Sequence, residues 1–132
     1  MIVEVEAGRE VQVKRAYAAV DAGQVINPDG IINQTEGGII QTVSWTLKEQ
    51  INFDRERVTT RTWEDYPILT FAEAPAVDVV LINRPDQPSL GAGEGAQGPT
   101  GAAIANAVYN ALGVRLRDMP LTRDRLIAAV AQ

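Results

Sequence analysis

The chain has 132 residues, no cysteine, no histidine and a formal net charge of −5. The missing residue types exclude, within this chain, thiol chemistry, a Cys/His zinc site, iron–sulfur ligation and a Ser-His-Asp triad. The acidic balance has no basic run to offset it, which argues against nucleic acid and anionic membrane surfaces as partners, and no apolar run approaches the roughly 18 residues of a membrane span. A hydrophobic content of 45% predicts a globular domain with a core. The sequence enters strand-like residues at once, as a domain cut from a longer chain does.

Residues 2–5 alternate with period two, and residues 11–20 resume a β-branched pattern after the turn-like residues 7–10, predicting a β-hairpin. Residues 21–23 close the second strand, and Asn27-Pro28-Asp29-Gly30 reads as a turn. Ile32, Glu36, Ile39, Ile40, Val43, Leu47 and Ile51 then recur at three-to-four spacing. That predicts a helix of about five turns with one apolar face. Gly37 and Gly38 lie inside it, each costing about 1 kcal/mol relative to alanine. Close packing or close approach of a ligand would offset that cost. Residues 57–63 have strand propensity, residues 66–71 are extended and irregular around Pro67, and residues 77–82 read as a strand. Pro85 and Pro88 punctuate a loop that leads into a glycine run. Pro99 opens an alanine-rich helix ending at Leu112, with Gly113 as its C′ residue. Thr122 caps a last helix through Ala131. The order β-β-α-β-β-α-α predicts an α+β fold, a mixed β-sheet with helices packed on one face, in a single domain over residues 1–132.

The glycine run, Gly91-Ala92-Gly93-Glu94-Gly95-Ala96-Gln97-Gly98-Pro99, sets one carboxylate among glycines just ahead of a helix. Glycine lets a backbone approach a ligand closely, and helix-initiating or successive glycine N–H groups favour anions. Glu94 therefore reads either as a catalytic base or as a solvated loop acid. Gly91, Gly93 and Ala96 formally fit G-x-G-x-x-A, but Pro85 and Pro88 separate them from the preceding strand and no acid follows about 20 residues later, which argues against a dinucleotide fold. A P-loop and an EF-hand are absent, and the acids are scattered, so no metal-ligand set is read within the chain. Glu73 and Asp78 read as acids on a solvated face, leaving Glu94 without the second carboxylate that glycosidase chemistry needs. Gln34 and Gln41 share a helix, either as a polar face or as amide contacts to a polar ligand.

Five segments in order carry a resemblance. They are Asp21-Ala-Gly-Gln-Val-Ile-Asn27-Pro28-Asp-Gly30, Asn33-Gln34-Thr-Glu36-Gly37-Gly38-Ile-Ile-Gln41, Gly91-Ala92-Gly93-Glu94, Ala102-Ala-Ile-Ala-Asn106-Ala, and Gly113-Val-Arg-Leu-Arg117-Asp-Met-Pro120-Leu-Thr122. Together they resemble the C-terminal part of the molybdopterin-binding large subunit of the xanthine dehydrogenase/aldehyde oxidase family. They are most similar to isoquinoline 1-oxidoreductase β-subunit-like bacterial aldehyde dehydrogenases. Thr42 departs from the family pattern, where many members have glycine.

The resemblance implies a molybdenum hydroxylase that oxidises aldehydes or N-heterocycles with water as the oxygen source. It implies Glu94 as general base on a molybdenum-bound hydroxyl. Gln34, Gly91, Ala92 and Gly93 are then cofactor contacts, with the loop from Asn27 to Gly30 as a further one. The implied cofactor is molybdopterin with Mo, in bacteria usually the cytosine dinucleotide form. The implied partners are the remainder of the molybdopterin-binding subunit, a 2Fe-2S subunit and a small-molecule substrate, with no nucleic acid and no membrane span. Family subunits are several times longer, so the chain is expected to be a piece of one and inactive alone, with an exposed apolar surface where the rest would pack. The alternative is a non-catalytic α+β binding module with a structural glycine loop. The two differ at Glu94: a base is expected partly buried at the floor of a cleft shared with Asn27 and Gln34. Localisation is not encoded in these residues.

Overall fold

The structure is a computed structural model and describes residues 1–131. β1 (Ile2–Ala7) and β2 (Val11–Val20) form the expected antiparallel hairpin. β3 (Ala76–Leu81) pairs with the other edge of β2 in parallel, so the sheet is mixed with order β1-β2-β3. Along β1, Val3, Val5 and Ala7 alternate with the exposed Ile2, Glu4 and Glu6. β2 breaks its alternation once. Glu4 pairs with Arg15 but Val5 pairs with Val13, leaving Lys14 as the extra residue of a β-bulge. Lys14 and Arg15 are therefore both exposed, while Val13 and Ala16, three apart, both reach the core.

α1 (Pro28–Leu47) starts earlier than expected, because the predicted turn is its first turn. Asn27 is the N-cap, its Oδ1 accepting the Gly30 N–H at 3.0 Å, and Pro28 fills the first helical position. Turns and helix starts favour the same residue types for the same reasons, a short side-chain acceptor and a fixed φ. α1 ends at Leu47, where Lys48 N–H and Glu49 N–H both donate to the Ser44 carbonyl; Ile51 lies beyond it and is exposed.

Residues 57–63 do not form the expected strand. Among the described residues this region has an isolated Phe53–Val58 bridge, with Thr59 N–H donating to the Asn52 carbonyl at 2.8 Å, and no ladder. Asp54 Oδ1 accepts the N–H groups of Glu56 and Arg57, and Asp65 Oδ2 accepts those of Arg61 and Thr62. Such local side-chain bonds compete with a strand ladder, and these residues have no buried face to set a register. The observed order is thus β-β-α-β-α-α, with a short 3₁₀ turn at Phe71–Glu73.

α2 (Gln97–Leu112) begins two residues before Pro99, whose missing N–H falls in the first turn where it has no intrahelical partner to lose. Gly113 closes it at φ 72°. α3 (Arg123–Val130) follows Thr122, which holds the N-cap position without a side-chain capping bond. The core lies between one sheet face and α1 and α2: Val11, Val13, Ala16 and Ala18 from β2, Ile39, Val43 and Leu47 from α1, and Ile104 and Val108 from α2, closed by Leu121 and Leu126. Each fully buried Ile, Leu or Val contributes about 1.5–3 kcal/mol relative to an exposed one. Small residues let the two long helices approach. A Cβ on Gly101 would sit 3.5 Å from Thr46 Oγ1 and 3.8 Å from Thr42 Cγ2. Thr42, the departure from the family pattern, is fully buried here, and its hydroxyl donates to the Gly38 carbonyl at 2.8 Å.

Candidate functional site

The proline-rich loop after β3 is fastened to the end of β2. Leu90 N–H donates to the Ala22 carbonyl at 2.9 Å, Gln24 N–H to Gln87 at 3.3 Å, and Arg84 N–H to Gly23 at 3.0 Å. Asp21 accepts the Gly23 N–H at 3.1 Å and pairs with Arg84 Nε at 3.0 Å. The Gly23 bond first, and then Arg84, hold the Asp21 carboxyl below its ordinary range. Gly23 has φ +71°, and a Cβ there would overlap the Pro88 carbonyl oxygen. Only glycine meets both demands. This seam delivers the glycine run to the first turns of α1.

Two glutamines of α1 then bind the run at its two ends. Gln34 Nε2 donates to the Gly93 carbonyl at 2.6 Å, and Gln97 Nε2 donates to Gln41 Oε1 at 3.1 Å. Gln34, Gly38 and Gln41 lie on one helical stripe. Gly38 is buried between the glutamines, its Cβ position 3.6 Å from Gln97 Cγ and 3.9 Å from Ala96 Cβ. Asn27, Gly30, Gln34, Ala92 and Gly93 line one open groove of about 350 Å³. Gly91 and Ala92 line a neighbouring hollow of about 250 Å³ with Thr35 and the end of β2. Five of the six expected cofactor contacts thus share a groove, and Gly91 stands beside it.

Glu94 is exposed, and its side chain makes no hydrogen bond or ion pair among the described residues. It follows Gly93 directly, but this chain does not enclose it in the expected cleft. Gly30 has a structural explanation of its own, since a Cβ there would come within 3.1 Å of the Asn27 cap. Gln97 was missed by sequence reasoning, and only the seven-residue spacing of Gln34 and Gln41 hinted at a shared task.

The remaining glycines test whether a large polar cofactor fits. Gly8, Gly37, Gly91, Gly93, Gly95 and Gly98 have no atom within 4 Å of where a Cβ would stand, and none has a positive φ; of these, Gly91, Gly93 and Gly95 line the two hollows at the site. Neither packing nor backbone strain within the chain requires glycine at these positions. A bare floor of this kind suits a ligand that approaches the backbone closely. Among the described residues no group of three or more Asp, Glu, His or Cys side chains could hold a metal ion.

Residues 1–75 match the family described as molybdopterin cofactor-binding domain, and the chain belongs to that family. It is 46% identical over 121 residues to one of the subunits of nicotinate dehydrogenase from Pseudomonas putida, covering 92% of this chain and 10% of that protein. It is 35% identical to the beta subunit of isoquinoline 1-oxidoreductase from Brevundimonas diminuta, covering 84% of this chain and 14% of that one. Quinoline 2-oxidoreductase from Pseudomonas putida 86 superposes with a TM-score of 0.81 at 28% identity, over 92% of this chain and 16% of its own. The chain thus spans between 10% and 16% of these proteins' lengths.

Proposed function

We propose that this sequence works within a longer molybdopterin-binding subunit of a molybdenum hydroxylase that oxidises aldehydes or N-heterocycles with water as the oxygen source. The observation that carries this reading is the open backbone at the groove: Gly91 and Gly93 have no atom within 4 Å of where a Cβ would stand, and Gln34 holds the Gly93 carbonyl. In this reading Gly91, Ala92 and Gly93 let the cofactor lie against backbone. Gln34 holds Gly93 through one amide N–H, and its Oε1, without a protein partner among the described residues, is left for a pterin donor. Asn27 and Gly30 form the outer wall of the groove. The bound cofactor, molybdopterin carrying Mo in its cytosine dinucleotide form, supplies the two-electron redox chemistry. Glu94 accepts a proton from the oxygen nucleophile, and its carboxylate stands one residue from the bound backbone of Gly93. The longer subunit covers Glu94 and supplies the substrate pocket, and a 2Fe-2S partner subunit removes electrons. The chain alone is inactive.

Glu94→Gln in the full-length enzyme tests the assignment. Molybdenum content, read by mass spectrometry of the metal, is expected to stay at the parent level. Turnover of an aldehyde or N-heterocycle is expected to fall by about 10²–10⁴, the range a positioned base contributes. Retained turnover would remove Glu94 from catalysis.

A further inference from the structure

Arg115, Arg117 and Arg125 line a single hollow of about 460 Å³ between the residues following α2 and the helix α3. The chain carries a net −5, whereas the lining of this hollow holds three arginines against one aspartate. Asp118 is the one carboxylate in the lining, and none of the three arginines is ion-paired among the described residues. Two of them are held in place by neutral groups. Arg115 Nη1 donates to Asn106 Oδ1 at 2.7 Å, and its guanidinium lies 4.1 Å from the Tyr109 ring centroid. Arg125 Nη1 donates to the Pro120 carbonyl at 2.7 Å and Nη2 to Gln50 Oε1 at 3.3 Å. Neutral acceptors fix the forks without cancelling their charge. Arg117 is exposed and makes no hydrogen bond among the described residues. Ala129 adds a short side chain to the wall, leaving the hollow open.

Like charges gathered at one place repel, and salt screens that repulsion only in part. A neutralising carboxylate within the chain would be the ordinary remedy, and among the described residues none is paired with these arginines. Pre-oriented guanidiniums match the paired oxygens of a phosphate or carboxylate and bind them more strongly than neutral acceptors.

We propose that this hollow is a binding site for a small free oxyanion, with Arg115 and Arg125 as fixed forks and Arg117 as the mobile arm that closes on it. It shares no lining residue with the groove of Asn27 and Gln34, and so stands independently of the pterin reading.

The experiment uses the longest purified protein that carries this sequence. Its arginines are labelled with phenylglyoxal and mapped by peptide mass spectrometry in inorganic phosphate, in succinate, and in chloride at equal ionic strength. Saturable protection of Arg115 and Arg117 is expected, at least fivefold beyond chloride. Protection by phosphate alone identifies a phosphate-type ligand, and protection by succinate as well identifies oxyanions in general. Arg117→Gln is expected to weaken the protecting anion about tenfold at Arg115, as loss of one charged hydrogen bond does. Arg117→Lys keeps the charge, loses the fork and is expected to fall between. Arg117 supports no other described residue, so both variants should melt like the parent. Protection no greater than in chloride overturns the proposal, as does unchanged affinity in Arg117→Gln. Arginines already unreactive without added anion also overturn it, because another part of the protein then fills the hollow.

Discussion

Glu73 ties the long irregular segment to the end of α1. Its carboxylate receives Lys48 Nζ, the Thr70 N–H at 2.9 Å and the Thr70 hydroxyl at 2.7 Å. Lys48 first, and then Thr70, pull the Glu73 carboxyl from its ordinary 4.5 down to about 2. An acid depressed by folding stabilises the folded state at pH values above its unfolded pKa and loses that contribution as pH falls through the folded one. The Glu73 side chain is 36% exposed, so solvent screening limits the contribution to about 1 kcal/mol or less. Glu73→Gln is expected to lower stability by that amount at neutral pH. The gap to the parent should close between pH 4.5 and about 2, read from urea unfolding at each pH. A gap that persists at the acid end would assign the effect to packing. In sequence Glu73 reads as a solvated acid because its partner Lys48 stands 25 positions away. Gln41 and Gln97, 56 positions apart, were hidden for the same reason. Local pattern identifies donors and acceptors but does not say which of them meet.

At the scale of elements, α1 carries the sharpest contrast between stability and site. Gly37 is helical, with open space at its Cβ position. Gly37→Ala is therefore expected to stabilise the fold by about 0.5–1 kcal/mol. In the longer enzyme the same change is expected to lower molybdenum content if the open space at Gly37 is where the proposed cofactor lies. A higher melting temperature with full molybdenum loading would remove Gly37 from the cofactor surface. The helices, the hairpin and β3 were legible because each has a strong period and recognisable ends. Four features were not. Turn chemistry and helix-start chemistry coincide at Asn27 and Pro28. The β-strand propensity of residues 57–63 lost to the Asp54 and Asp65 side chains. The bulge at Lys14 and the parallel partner of β2 depend on pairing, which no single segment encodes.

The molecule as a whole leaves large apolar side chains in solvent, concentrated in the irregular stretch between α1 and β3. Phe71 is 99% exposed, Phe53 77% and Trp63 76%. These side chains offer apolar area to solvent, and apolar area gathered into one patch marks a contact surface. Phe71→Ser is expected to change the stability of the 132-residue chain by less than about 0.5 kcal/mol, as surface substitutions do. If a neighbouring part of the longer protein covers Phe71, the same change costs about 1.5–3 kcal/mol there. Equal denaturant midpoints for parent and variant in both settings would show that nothing covers this surface. The parallel pairing of β2 with β3 also bears on the order in which the molecule assembles. The hairpin and α1 close through neighbours in sequence, whereas the third strand must return across residues 21–75 before it can pair. Closing long loops is slow compared with forming local contacts. During synthesis the early elements therefore emerge with one edge of β2 bare. The glycine run, coming after β3, settles onto Gln34 and Gln41 only once the sheet is complete, so the groove is among the last parts of this molecule to exist.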